Sequence, residues 1–460
     1  MKKLIILAFA ALLVFAFTVP AAAVEHQFGG YWRTRIFMQS DFSGKDETVA
    51  GAGADVSRTD TRTRLYYTAV INDNLKFINK FEFDAIWGGQ DTTFAAGQGT
   101  GKVYGDVGAD GVNVEIKNSY VEFNWLSSIW RVGVQGWELS RGFQFSDDAA
   151  GVLWMYPWGN HLVGAGWVKV FEGRAGYNRT SEEDIDFPAI FGVFNIGEGM
   201  SLNPWFAYGY SDKGGSVWRM SAIPFGIDTA PIGSASDGSV NAWWIGCDYN
   251  WNTDMYGLWL TGIYLGGSMA GKLAPGATSV TQTGDWTLSG YLAAIGGHWN
   301  LGAGDIHGQF FYSSGDDNPT DTDWEQFAVF QGQSYYWAEI MGLGTFDNQV
   351  SNNAPADQIQ NIYALNLGIG WTFAEKHKIV ADIWYATRPS VDLPIVANAF
   401  PDEYLGTEID LKYTYPIVEG MNLDIIGAYL FAGDGTYKQV AGGASSANPY
   451  ELGMQLSLSF

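Results

Sequence analysis

Residues 449–460 read PYELGMQLSLSF, and the spacing of their apolar positions decides how the chain is built. Tyr450, Leu452, Met454, Leu456, Leu458 and Phe460 share one parity, while Glu451, Gly453, Gln455, Ser457 and Ser459 share the other. A period of two belongs to a strand, whose successive side chains point to opposite faces; a helix would repeat about every 3.6 residues.

The same alternation recurs upstream. LKFINKFEFDAIWG puts Leu75, Phe77, Phe81, Phe83, Ala85 and Trp87 on one face and Lys76, Lys80, Glu82 and Asp84 on the other. LGTEIDLKYTY sets Leu405, Thr407, Ile409, Leu411, Tyr413 and Tyr415 against Glu408, Asp410, Lys412 and Thr414. One face suits hydrocarbon and the other suits water. A soluble β-sandwich also alternates, but here the segments reach about ten residues, carry aromatics near their ends, and are joined by connections that alternate short and long.

The chain begins MKKLIILAFAALLVFAFTVPAAAVE, with Lys2 and Lys3 before an apolar run and Ala21 and Ala23 in an A-x-A arrangement. Residues 1–23 read as a cleaved secretory signal peptide, leaving 24–460 as one domain without a linker. Past that leader no window offers the about 18 apolar residues of a membrane helix. Yet aromatic residues reach 16% and glycines number 59. Membrane β-barrels use such compositions, with Trp and Tyr at both lipid–water boundaries and glycine where strands bend or pack closely.

Short turns are expected at 72–74, 127–128, 157–161, 197–199, 250–254, 301–304, 374–377 and 418–420. Between them lie long polar stretches at 40–58, 89–111, 141–150, 174–186, 211–238, 267–285, 316–359, 389–404 and 433–448. Eight turns and nine loops imply an all-β transmembrane antiparallel barrel of 18 strands, both termini lying at the short-turn, periplasmic end and the long loops outside the cell. The segments near 150–158 and 239–250 are weakly patterned, and losing one hairpin would give 16.

The formal net charge of −24 makes nucleic acid an improbable partner. The single cysteine, Cys247, rules out an intrachain disulfide and a Cys-based zinc site. His26, His161, His298, His307 and His377 are dispersed, and no nucleophile–His–acid arrangement stands out, so no enzymatic activity and no catalytic residue are expected. The loop carrying Asp316, Asp317, Asp321, Asp323 and Glu325 offers hard oxygen ligands. Asp321, Asp323 and Glu325 are the candidates for a loop-bound Ca²⁺, although the spacing lacks the glycine of an EF-hand and a solvated acidic loop is the better reading. No other cofactor is expected.

If Phe77 and Phe81 face lipid, the other parity faces the lumen. Arg33, Arg35, Arg62, Arg64, Lys76, Lys80 and Arg131 would then form one basic wall, seven of only 25 basic residues. Facing acid is expected from the loop after the fifth strand, SRGFQFSDDAAG, through Asp147 and Asp148, with Glu138 just before it and Arg141 at its root. Such a pair of walls makes a transverse field that sorts ions by charge. The plainer alternative is that the arginines pair across strands with Glu82, Asp84 and Glu122.

The stretches GGYWRTRIF, TRTRLYYTAVINDNLKFINKFEFDAIWG, IKNSYVEFNW, RVGVQGWELSRGFQFSDDAAG and YELGMQLSLSF resemble Gram-negative outer-membrane porins, most closely the homotrimeric porins of sulfate- and metal-reducing bacteria. The resemblance implies a homotrimer of passive, water-filled channels for small hydrophilic solutes and ions, with the loop after the fifth strand folded inward. It also implies outer-membrane lipid and lipopolysaccharide as surroundings, and recognition by the barrel-assembly machinery through the aromatic C-terminal strand. A substrate-selective channel for sugar, carboxylate or an exported polysaccharide is the alternative, since RTRLYY and VGVQGWEL also resemble alginate-export barrels.

Overall fold

The computed structural model describes residues 24–42, 56–88, 114–171, 184–211, 239–273, 282–329, 332, 334–346, 359–392, 402–436 and 447–460. The expected leader at 1–23 and much of the long polar stretches, including 43–55, 89–113, 212–238 and 437–446, lie outside these residues.

Alternating side chains make strands throughout. The first are β1 (Glu25–Ser40), β2 (Val56–Asn72), β3 (Leu75–Ile86), β4 (Glu115–Trp125) and β5 (Ser128–Leu139). They are followed by β6 (Phe145–Trp158), β7 (His161–Phe171), β8 (Ile185–Gly197), β9 (Met200–Ser211) and β10 (Ser239–Asn252). Next come β11 (Tyr256–Leu273), β12 (Gln282–Leu288), β13 (Tyr291–Asn300), β14 (Gly304–Ser313) and β15 (Asp323–Trp324). The chain ends with β16 (Ile362–Phe373), β17 (His377–Thr387), β18 (Tyr404–Val418), β19 (Met421–Ala432) and β20 (Tyr450–Ser459).

Two of these are not separate staves. β12 and β13 both lie against β11 in a single register, Gly267 opposite Leu288 and Tyr264 opposite Tyr291, so they form one strand broken at Ser289 and Gly290. β15 pairs with β12, in parallel, over only two residues. The remaining 18 staves close into an antiparallel barrel of outer-membrane type, as β20 returns to pair with β1 and Thr34 stands opposite Leu456. At this seam Gly30 and Phe460 exchange backbone hydrogen bonds of 2.8 and 3.2 Å. A Cβ on Gly30 would sit 2.4 Å from the Phe460 ring, so only glycine lets the terminal aromatic lie there.

All eight expected short turns are present, and both weakly patterned segments are full strands, β6 and β10. Leu126 and Ser127 carry positive φ angles of 50° and 58°, the geometry whose twist suits a two-residue hairpin. Two expected loops are shorter than their polarity suggested: the connection at 141–150 is strand from Phe145 onward, and 267–285 contains the ends of β11 and β12.

Outward positions carry the apolar residues. Leu365, Leu367, Ile369 and Trp371 on β16, Ile409 and Leu411 on β18, and Leu452 and Met454 on β20 are all exposed. Trp125, Trp158 and Trp299 ring the short-turn end, and Tyr264, Tyr291, Tyr385 and Tyr429 ring the other; these are the two aromatic girdles of a barrel in lipid. Leu405 is an exception. It was expected on the lipid face, but the register slips between Ala386 and Thr387, which faces Tyr404, and Leu405 turns inward and is fully buried.

The buried core lies inside the barrel, much of it against β8 to β11, with Trp384, Leu405 and Leu430 adding to it from β17 to β19. Phe187, Trp205, Trp244 and Leu265 project inward from β8 to β11, and Phe143, Phe327, Ile340 and Met341 from two connections pack against them. The charged interior that the alternation leads one to expect lies on β1 to β5, and Asp382, Asp410 and Asp424 continue it on β17 to β19 beside those apolar residues.

Candidate pore lining and constriction

The cross-strand register decides what the basic wall is. Arg62 stands opposite Asp84 and Arg64 opposite Glu82. Arg62 grips Asp84 with bonds of 2.8 and 2.6 Å and reaches Glu82 at 3.3 Å, and Arg64 bonds Glu82 at 2.5 Å. Arg35, itself buried, holds Asp60 through two bonds of 2.9 and 2.8 Å. Lys76 and Arg131 share Glu122 at 3.3 and 2.8 Å. Lys80 lies over the Tyr66 ring, 5.3 Å from its centre. The plainer reading therefore describes most of this wall: its cations are paired along the sheet with Asp60, Glu82, Asp84 and Glu122.

Arg33, Arg62 and Arg64 line an open cavity of about 810 Å³ inside the barrel. Its far side is built by His307 on β14, Asp382 on β17, and Asp410 and Lys412 on β18, with Tyr336, Trp337 and Glu339 from the connection between β15 and β16. His307 is fixed between Asp305 at 2.6 Å and Asp382 at 3.0 Å, and Asn366 also donates to Asp382 at 2.9 Å.

The expected acidic partners are elsewhere. Asp147 and Asp148 are residues of β6, not of a loop; Asp147 pairs with Trp137 in register and is exposed, and Asp148 accepts from Asn118 at 2.7 Å and lies 3.6 Å from Lys117. Glu138 sits on β5 opposite Ser146. None of the three lines the cavity. The carboxylates that do are Glu339, Asp382 and Asp410, so a field across the cavity has different donors from those the sequence suggested.

The connection after β5 does fold inward, but only as the tight stretch from Ser140 to Gln144. Ser140 donates to Asp248 on β10 at 3.2 Å and receives the Trp205 indole N–H at 2.8 Å. Arg141 bonds Asn250 and lies 4.7 Å over Trp259; burial lowers its affinity for its proton. Phe143 stacks on Tyr335 with ring centres 3.9 Å apart.

The larger inward element is residues 334–346, which sequence reasoning missed. Glu408 on β18 accepts the backbone N–H of Ile340 at 2.6 Å and of Met341 at 2.9 Å, and Asp410 accepts that of Glu339 at 3.3 Å. Glu339 turns back onto Thr345, accepting from its hydroxyl at 2.9 Å and from its backbone N–H. Gly344 N–H bonds Ala338 at 3.0 Å, closing a compact ring. Thr345 C=O takes a bond of 3.1 Å from Arg35, and Phe346 stacks on Phe37 at 4.9 Å. Burial raises the Glu339 carboxyl above its usual range. Glu408 and Asp410 were legible as water-facing residues of LGTEIDLKYTY, but their partners lie 67 or more residues upstream, and nothing in the local pattern points there.

In the acidic loop two carboxylates are taken up by the loop's own N–H groups. Asp316 accepts the N–H of Asn318 at 3.1 Å and of Glu325 at 3.4 Å, and Asp321 accepts from Asp323 N–H at 2.9 Å and from the Asn318 amide at 2.8 Å. Among the described residues no three His, Cys, Asp or Glu side chains are placed to hold a metal ion.

No protein-family model and no curated protein matches this chain. Solved structures do. Acinetobacter baumannii OccAB3 is similar with a TM-score of 0.56 at 10% identity, covering 95% of this chain and all of that one, 100%. A. baumannii OccAB1 has a TM-score of 0.56 at 11% identity over 96% of this chain and 99% of its own. Pseudomonas aeruginosa OccK8 (OprE) has a TM-score of 0.54 at 10% identity over 95% and 98%. At these identities the likeness is one of fold.

Proposed function

We propose that the protein is an outer-membrane porin, a passive channel for small hydrophilic solutes and ions, driven only by their gradients and performing no chemistry. The observation that carries this is the cavity of about 810 Å³ between Arg33, Arg62 and Arg64 on one side and Glu339, Asp382 and Asp410 on the other, inside a barrel whose outer surface is apolar. Charges held in fixed pairs at a narrowing sort ions by sign, and the loops set the size limit. The full-length likeness in fold to the Occ barrels supports placement in a Gram-negative outer membrane. Resemblance in the first 150 residues to porins of sulfate- and metal-reducing bacteria supports a homotrimer. The leader at 1–23 supports export, and the terminal strand supports delivery by the barrel-assembly machinery.

Planar-bilayer recordings under a salt gradient test the reading. Stepwise ohmic conductance supports it and the reversal potential gives the ion preference, whereas a silent barrel overturns it. One observation favours a substrate-selective version: Tyr31, Tyr66, Tyr336 and Trp337 line the cavity beside the arginines, a mixture of rings and cations suited to sugar or carboxylate solutes.

A further inference from the structure

A second cavity, of about 490 Å³, lies inside the barrel against β5 to β10, and it shares no lining residue with the first. The two are kept apart by rings: Phe143 stacks on Tyr335, Phe311 meets Trp337 edge-on at 5.2 Å, and Arg141 covers Trp259. Gln309 and Trp337 belong to the first cavity, while Ser140 and Arg141 belong to the second. The lumen is thus divided, and the divided parts differ in chemistry.

Most of its lining is apolar, with Leu153, Val168, Phe187, Ala189, Phe191 and Trp205 facing a smaller polar set on β5, β9 and β10 and the connection after β5. An apolar recess of this size, opening among a few polar groups, has the character of a small-molecule site. Two polar groups in its lining keep unused hydrogen-bonding capacity: Arg141 Nε–H, a donor, and Asn203 Oδ1, an acceptor, each buried without a partner. The lining also carries the Glu138 carboxylate, whose charge disfavours an anionic guest, and two polar groups already engaged. Asp248 is bonded by Ser140 at 3.2 Å and Thr261 at 2.6 Å, and Asn250 by Arg141 and Ser201. Leaving a buried donor and acceptor unmet is costly, and a ligand that satisfies both at once gains that difference on binding.

We propose that this recess binds a small uncharged amphipathic molecule, with a flat aromatic or branched-alkyl body among Phe187, Phe191 and Trp205 and a head group that accepts from Arg141 Nε–H and donates to Asn203 Oδ1. A carboxamide or a phenol has the required pair of functions on one small group. A carboxylate lacks the donor, and a plain hydrocarbon lacks both. The site is separate from the charged cavity, so it stands whether or not that cavity conducts.

The test is equilibrium dialysis of 4-hydroxybenzamide against the full-length barrel purified in detergent, with protein-free micelles as the blank. Saturable uptake near one molecule per chain is expected, with benzoate and toluene binding at least about tenfold more weakly. Ala189→Trp fills the recess and abolishes uptake. Asn203→Leu, close in size to the original, weakens it about fivefold while the barrel keeps its strand circular dichroism and heat-modifiable mobility. Uptake no greater than by empty micelles, or uptake unchanged in both variants, overturns the proposal; if Ala189→Trp does not fold, Asn203→Leu decides alone.

Discussion

Glu408, fully buried on the inner face of β18, accepts the backbone N–H of Met341 at 2.9 Å while its other oxygen takes that of Ile340 at 2.6 Å. With Asp410 on the Glu339 N–H, three successive amides of the inward loop are held by the barrel wall. The loop has no regular secondary structure to satisfy these groups, so the wall supplies their acceptors.

Glu408→Ala removes that support and strands two buried amides, each costing about 1–3 kcal/mol when unmet. The loop is expected to leave the wall, giving a single-channel conductance that is larger and noisier than in the unmodified protein. Glu408→Gln keeps one acceptor oxygen and falls between the two. Recordings of Glu408→Ala that match the unmodified protein in both step size and noise would falsify the assignment of residues 334–346 as the narrowing element.

Arg64 is the second point of test, because its partner Glu82 is buried and its own side chain is partly exposed. Arg64→Gln takes a cation from the cavity lining and leaves Glu82 with Arg62 at 3.3 Å. The destabilisation stays below the about 3–5 kcal/mol of a buried pair left with no partner, since Arg62 remains. The reversal potential under a KCl gradient moves toward cation preference, and Arg64→Gln with Glu82→Gln together returns toward the starting value. A shift toward anions in the single variant contradicts the placement of Arg64 in the conducting path.

Much of this was readable in the chain before folding, for an identifiable reason. Alternation over Leu75 to Trp87 or Tyr450 to Phe460 follows from each strand having one lipid face and one inner face, and the short turns announce themselves by polar residues between such runs. Parity also placed Arg62 and Arg64 inward and allowed pairing with Asp84 and Glu82. What parity does not carry is which part of the inner face is wet. On β9 to β11 both faces hold apolar residues, as with Trp205 and Phe206, because two loops cover the inner one. The loop anchors at Glu408 and Asp410 were legible only as polar, since a carboxylate facing water and one bonding a distant amide leave the same mark in the sequence. Leu405 failed for a local reason: one extra residue at the register shift beside Thr387 reverses the parity beyond it.

Asp316 gives a pH prediction outside the membrane. Burial raises its carboxyl to about 6, working against the backbone N–H groups of Asn318 and Glu325 that favour the charged form. The folded loop therefore binds a proton more tightly than the unfolded chain, whose aspartate titrates near 3.9. Stability of this loop is greatest below that lower value and is lost as pH rises through about 6. Amide hydrogen exchange across residues 316–325, corrected for intrinsic rates, should show protection falling between about pH 4 and 7. Asp316→Asn, which cannot ionise, should flatten the profile; an unchanged slope in that variant assigns the dependence to another group.

The outer and inner faces can be separated with one charge placed on each. Leu411 lies midway along β18 with its side chain outward and 53% exposed, whereas Gln455 on β20 points into the charged cavity. An arginine facing lipid at mid-depth costs about 2–4 kcal/mol, because neither water nor a carboxylate is within reach. Leu411→Arg should therefore lose that amount in reversible urea unfolding from lipid vesicles. Gln455→Arg, beside Asp424 in register and near Asp410, should stay close to the unmodified protein. Equal losses in the two variants would mean that the two faces meet the same solvent, which a barrel standing in a bilayer does not allow.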